Sequence, residues 1–149
     1  MEFKTAPQKE IYEKITPWVK EIFGTFVVQR EDTPAFVITV GTAMAQVGVF
    51  PWGEDDATLT TRSYVVTGAE LVADLMEYLL HENDRMRFGA FGIDDDKDIF
   101  FEHTIVGSTC DKEELKASVL AVILTADQYD EKITSRWGGQ SARDRMRPS

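Results

Sequence analysis

Apolar positions in the first quarter of the chain recur at helical spacing and then switch to strict alternation, and this change of period marks the first element boundary. Ile11, Ile15, Val19 and Ile22 step by four and three up to Gly24. Ahead of them, Thr5-Ala6-Pro7-Gln8 supplies the hydroxyl, early proline and glutamine of a capped helix start. Pro17 removes one backbone hydrogen bond inside this helix, so a kink or break is expected near Glu13 to Thr16. From Thr25 to Val66 the period becomes two, and β-branched and aromatic residues dominate. The predicted strands are Phe26 to Arg30, Phe36 to Val40, Ala43 to Phe50 and Leu59 to Val66. Between them lie Asp32-Thr33-Pro34, a tight turn near Gly41-Thr42, and the turn-forming run Pro51 to Asp56. One long strand from Phe36 to Phe50, bulged at Gly41, is the competing reading of the middle pair.

A second capping box is read at Thr67-Gly68-Ala69-Glu70, followed by Leu71, Val72, Leu75, Met76, Leu79 and Leu80 as a broad apolar stripe ending near Asn83. Met86 to Ile93 and Asp98 to Ile105 flank Asp94-Asp95-Asp96-Lys97 and predict a hairpin. Asp111 with Glu114 opens a third helix of about 24 residues, carried by Leu115, Val119, Val122, Ala126, Tyr129 and Ile133. The expected fold class is therefore α+β, in the order α-β(3-4)-α-β(2)-α. Six strands at ~4.8 Å make a sheet about 29 Å wide, and three helices at ~10 Å cover one face of it only. The prediction is a two-layer sandwich: a mostly antiparallel sheet of five to six strands with three helices on one face. A single domain is expected over residues 1–137, with a basic tail over 138–149.

This order of elements, with Gly24 to Val66 and the Phe88 to Ile105 hairpin in their places, resembles the YbjN-like family and the type III secretion chaperone-like fold that it shares, in particular small cyanobacterial members. The resemblance spans residues 5 to 136 and rests on element order and acidic balance, with no catalytic motif. It implies a largely antiparallel domain that dimerises and binds segments of other proteins. It carries over no functional residue.

Charge narrows the partners. Among 149 residues, 16 basic side chains oppose 26 acidic ones, a formal charge of −10. Nucleic-acid binding draws on cations that displace counterions from phosphates, which this balance opposes. No nucleic-acid partner is expected. Basic residues are concentrated only at the end, where Arg136, Arg143, Arg145 and Arg147 against Asp144 give +3 and leave −13 on the body. Trp137, Arg143, Arg145 and Arg147 are the candidate tail contacts, with body carboxylates or a second chain as their targets. Nothing approaches the ~18 apolar residues of a membrane span, and the polar start Met1 to Thr5 has no signal-like apolar run, so a cytoplasmic protein without membrane partners is expected.

Motifs for catalysis or metal binding fail one by one. Counted from Asp94, positions six and twelve of a calcium loop are Ile99 and Ile105 instead of glycine and glutamate, which leaves a solvated turn. The lone Cys110 can form no internal disulfide and no multi-thiolate zinc site, and Asp111, Glu113 and Glu114 oppose its thiolate. Neither a cofactor nor a metal is predicted. His103 alternates with Ile99, Phe101 and Ile105 and reads as a hydrogen-bonded core histidine. Gly89-Ala90-Phe91-Gly92 lies in a strand pattern, so it is read as a bulge or a close backbone approach and not as a phosphate cradle.

What remains is a surface. Alternation assigns Arg62, Tyr64, Arg87, Phe91, Phe100 and Glu102 to a helix-free sheet face, and Leu59, Phe101 and His103 to the helix side. The leading reading is a non-enzymatic, protein-binding or chaperone-like adaptor acting through that face, a helix face or a strand edge. The alternative is a small-ligand binder or enzyme using acidic loops near Glu102 and His103. A homodimer is expected from the breadth of the second helix's apolar stripe.

Overall fold

The computed structural model describes residues 1–142 of the chain. Helix α1 (Ala6–Phe23) begins as expected: the Thr5 hydroxyl accepts from the Gln8 backbone N–H at 3.2 Å. Gln8 uses its carbonyl to accept from Lys4 N–H and its buried amide to donate to Val49 O at 2.8 Å, which pins the helix start to the sheet. Pro17 sits inside α1 without breaking it, and the helix ends at Gly24 with φ 55°. A 3-10 turn, Gly24–Phe26, leads into β1 (Val27–Gln29).

Four strands precede the second helix. β2 (Ala35–Val40) pairs with β3 (Ala43–Trp52) along its whole length, from Ala35↔Gly48 to Val40↔Ala43. The two-residue turn between them needs Gly41 at φ 63°, a left-handed backbone that glycine adopts at least cost. The single bent strand is thereby excluded. β4 (Asp56–Thr67) is the longest strand and occupies the centre of the sheet. It reaches to Thr67, which pairs with Gln140, so Thr67 ends a strand and does not cap a helix. Helix α2 (Ala73–Arg85) starts later, after Val72, with no side-chain cap. A local capping motif has been overridden by a long-range strand pairing.

β5 (Ala90–Ile93) and β6 (Ile99–Val106) form the expected hairpin, and α3 (Lys112–Trp137) is capped by Asp111, whose carboxylate accepts from Glu114 N–H at 2.7 Å. The segment expected to open a tail at residue 138 returns to the sheet as β7 (Gln140–Ser141), antiparallel to the end of β4. Among the described residues the antiparallel sheet thus has seven strands, in the order β1-β2-β3-β4-β6-β5 with β7 attached to β4.

All three helices lie against one face, over two clusters of buried side chains. The first joins α1 with Phe36, Ile38, Val47, Val49 and Leu59, and the second joins α2 with Val66, Phe91, Ile99 and Phe101. α3 spans both, giving Leu115, Val119 and Ile123 to the first and Val122, Ala126, Tyr129 and Ile133 to the second. Polar groups mark the seam: His103 Nδ1 and Ser118 Oγ are 2.7 Å apart, and Ser63 Oγ donates to Met44 O at 2.7 Å. Burial pulls the His103 imidazole below its ordinary pKa, although Glu114 pulls the other way. His103 is hydrogen-bonded on the helix side as alternation predicts, but it is half-buried and stands outside both buried clusters instead of in the core.

Candidate functional site

The helix-free face is organised by the register of the central strands. Arg62 lies opposite Glu102 and Tyr64 opposite Phe100, so alternation puts all four on one surface. They bind each other. The Arg62 guanidinium donates to Glu102 Oε2 at 2.8 to 2.9 Å and stacks over the Phe100 ring at 3.7 Å. Tyr64 meets Phe100 edge-on, and its hydroxyl donates to Asp94 Oδ2 at 2.8 Å. Burial opposes the Arg62 charge, but the bonds to Glu102 and Tyr64 hold its pKa above the usual value. Gly92, opposite Phe100, leaves room for the ring, since a Cβ there would lie 2.5 Å from it. Phe100 is consequently only 8% exposed although no helix covers it.

Two of the predicted surface residues are elsewhere. Phe91 pairs directly with Phe101, shares its helix-side face, and packs edge-on against both Phe101 and Tyr129 of α3. Directly opposed residues share a face, and the register set by the Asp94–Lys97 turn therefore decides its side. Arg87 precedes β5 in an exposed turn and belongs to no strand face. Leu59, Phe101 and His103 point toward the helices as expected. The Trp137 ring packs at a tilt against Tyr78 of α2, with centroids 5.0 Å apart and Arg136 over the indole, and so fastens the end of α3 to α2. Arg143, Arg145 and Arg147 lie outside the described residues.

The chemistry of the alternative reading is divided by the sheet. Glu102 faces outward on Arg62, whereas His103 faces inward on Ser118. In the acidic turn, Asp94 Oδ1 already accepts from the Asp96 and Asp98 backbone N–H groups; these bonds, led by that from Asp98, hold Asp94 below the ordinary carboxylate pKa. Burial pushes the Cys110 thiol up, and its S–H donates to Gly107 O.

Exposed apolar area on the open face lies away from the predicted cluster, toward β1. Val28, 66% exposed, pairs with Val37; on β3, Phe50 and Trp52 follow Gln46 and Gly48 at alternate positions, and Phe26 is exposed just before β1. The Phe50 ring folds back over Gly48, where a Cβ would come within 2.7 Å of it. Alternation along Gln46, Gly48, Phe50 and Trp52 carries this signal in the sequence.

The two sheet edges differ. Asp94 N–H bonds Asp98 O, which by alternation turns the Phe91 N–H and C=O outward; Asn83 of α2 takes both, accepting from Phe91 N–H at 2.7 Å and donating to Phe91 O at 3.3 Å. At the other edge, Arg30 N–H bonds Ala35 O, so Val27 and Gln29 turn their backbone groups outward. Among the described residues, no hydrogen bond to those outward groups occurs.

A family model described as T3SS (YopN, CesT) and YbjN peptide-binding chaperone 1 matches residues 9–145. The chain belongs to this family. Its function is accordingly chaperone-like binding of protein or peptide partners, in a family of chaperones and not of enzymes. Solved structures repeat the fold at low identity. The ExsC–ExsE complex aligns with a TM-score of 0.65 at 12% identity, over 85% of this chain and 95% of that one. The HopA1–SchA chaperone–effector complex gives 0.62 at 8% identity, over 83% and 96%. The Yersinia pestis type III secretion chaperone SycH, bound to a fragment of YscM2, gives 0.52 at 13% identity, over 81% and 98%. No curated protein matches by sequence. No helix among the described residues is long and apolar enough to cross a membrane.

Proposed function

We propose that this member of the family holds an extended segment of another protein along the β1 edge, with alternate side chains of that segment resting on the open face beside Val28, Val37 and Phe50. The observation that carries the reading is the unequal treatment of the two edges. A guest strand at β1 meets outward N–H and C=O groups of Val27 and Gln29, flanked by exposed Phe26 and Val28. A guest at β5 must first displace Asn83. Main-chain bonds supply affinity in such strand addition, and the side chains on one face supply selectivity. The Arg62–Phe100–Glu102 stack is satisfied within itself and acts as a rigid floor beside the guest.

The protein acts without catalysis in this reading, because Glu102 and His103 are committed to separate partners on opposite faces. It works in the cytoplasm as a homodimer. Supporting the dimer, α2 exposes Leu80, 69% accessible, and Val72 just ahead of the helix is exposed as well. Light scattering at micromolar concentration is expected to give about twice the 16.9 kDa chain mass. A monomeric mass would remove the dimer and leave the peptide site standing.

The site itself is tested by a photo-reactive side chain placed at Val28 or, as control, at Ala90 on β5. In cells that express the protein naturally, the Val28 position is expected to cross-link a defined partner segment and the Ala90 position none. Equal capture at both positions would contradict the proposal.

A further inference from the structure

The free edge of β1 is its own complement. Arg30 N–H bonds Ala35 O on the β2 side, and alternation then points the N–H and C=O of Val28 inward to Val37 and those of Val27 and Gln29 outward. The outward groups are therefore placed symmetrically about Val28. A second β1 laid antiparallel, with a two-fold axis at Val28 and normal to the sheet, sets Val27 of each copy opposite Gln29 of the other, and each such pair exchanges both of its main-chain bonds. The same operation keeps the open faces of both copies on one side, where Val28, 66% exposed, meets Val28 of the second copy.

The side chains permit this pairing. Val27, Val28 and Gln29 carry no charge, so the strand itself lacks the charged side chain that commonly blunts an exposed edge. Just outside it, Phe26 of one copy, which is exposed, falls nearest Arg30 of the other, while Glu31 and Asp32 fall nearest Thr25 and Gly24 and meet no like charge. The β5 edge offers no such pairing, because Asn83 holds the outward groups of Phe91. An isologous contact of this kind closes at two copies per edge, whereas a heterologous one goes on adding chains.

We propose that, when no guest segment is present, β1 pairs with β1 of a second copy about a two-fold axis at Val28, and that a guest must displace this copy. The inference rests on the β1 edge being the guest site and adds its regulation: guest and second copy use the same Val27 and Gln29 groups, so capture and self-pairing exclude each other. Three residues a side make a weak contact, with a Kd on the order of 0.1 to 1 mM, so the edge is free at low micromolar concentration and closed in concentrated solution. The contact is separate from the α2 face and joins chains, or α2 dimers, edge to edge.

The register is tested with Val28→Cys. Opposed residues that exchange no main-chain bonds have Cα atoms about 4.5 Å apart, within disulfide range, so the purified variant is expected to oxidise to a disulfide-linked dimer at millimolar concentration. Gln29→Cys, whose counterpart in the second copy is Val27, and Ala90→Cys on β5 should stay mainly reduced, and the native Cys110 is buried. In the native chain, exchange of the Val27 and Gln29 amides should be about threefold slower at 2 mM than at 0.02 mM, with Phe91 unchanged. Val28→Lys and Val28→Glu should each abolish this concentration dependence, and an equimolar mixture of the two variants should restore it, which neither a folding defect nor the loss of an apolar side chain would allow. Equal oxidation of the Val28→Cys and Gln29→Cys variants, concentration-independent exchange at Val27 and Gln29, or failure of the mixture would overturn the proposal. These readouts use the purified protein alone, so they stand or fall apart from partner capture in cells, which tests the guest site.

Discussion

The two edges of the sheet are strands of similar length, three residues in β1 and four in β5, yet they are finished in different ways. β5 is enclosed: Phe91 is buried under α3, its outward backbone groups are held by Asn83, and Gly89 at φ 78° brings the chain against Glu102 O so tightly that a Cβ would lie 2.3 Å away. β1 has none of this. Its middle residue is Val28, largely exposed, and its outward groups have no partner among the described residues. Exposed edges invite pairing with other chains, and proteins ordinarily cover or blunt them. This protein covers one edge and leaves the other, and the proposed strand addition at β1 uses that difference.

The largest effect that would break this contrast is at Gly89. Gly89→Ala combines a left-handed φ with a backbone clash, and about 3 kcal/mol of destabilisation is expected in chemical denaturation. Gly41→Ala in the β2–β3 turn has a similar φ but open space around the missing Cβ, and should cost about 1 kcal/mol. Equal costs would mean that the β5 side is not more tightly built.

Asn83→Ala is next. It strips both partners from Phe91, for an expected loss of about 1 to 3 kcal/mol, with faster exchange of the Phe91 amide. It should also convert β5 into a second open edge, seen as strand-mediated association of the variant at high concentration.

Smaller again is a pH effect in the seam. Burial lowers the His103 pKa in the folded state, so His103 contributes stability when neutral, at pH above its unfolded value of about 6.5, and that contribution is lost as pH falls toward the lower folded value. Stability of the native chain should decline from pH 7 to 5 more steeply than that of a His103→Gln variant. Since His103 also meets Phe88 edge-on, exchange should rise first on the β5 side. Parallel pH curves for the two proteins would remove His103 as the cause.

Much of this contrast lies beyond what local sequence pattern carries. Periodicity places the three helices and the β5–β6 hairpin, because each is written in residues close together in the chain, whereas it leaves the β2–β3 turn beside a single bulged strand until the pairing of β2 with β3 decides it. Phe91 was assigned to the open face from its own alternation, whereas its side depends on pairing with Phe101 across a turn. Thr67 matches a capping box, but its pairing with Gln140, 73 positions on, competes and wins. The Asn83 bonds to Phe91 and the return of Gln140–Ser141 to β4 are contacts between segments with no shared local pattern. The candidate site was half legible: Arg62, Tyr64, Phe100 and Glu102 do share the open face, but their mutual bonds, visible only in three dimensions, move the exposed apolar surface to Val28, Phe50 and Trp52.

The least disruptive change should be Val28→Lys, on an exposed side chain, with stability within about 0.5 kcal/mol of the native chain and capture of the partner segment lost. Unaltered capture would move the site away from β1.

Amide hydrogen exchange, measured on the protein alone and with the segment cross-linked at position 28, tests the central claim most directly. In the free protein the Val27 and Gln29 amides should exchange quickly and Phe91 slowly. On binding, Val27 and Gln29 should become protected while Phe91 stays as it was. Protection appearing at Phe91, or none at Val27 and Gln29, would contradict the assignment of the open edge as the peptide-binding site.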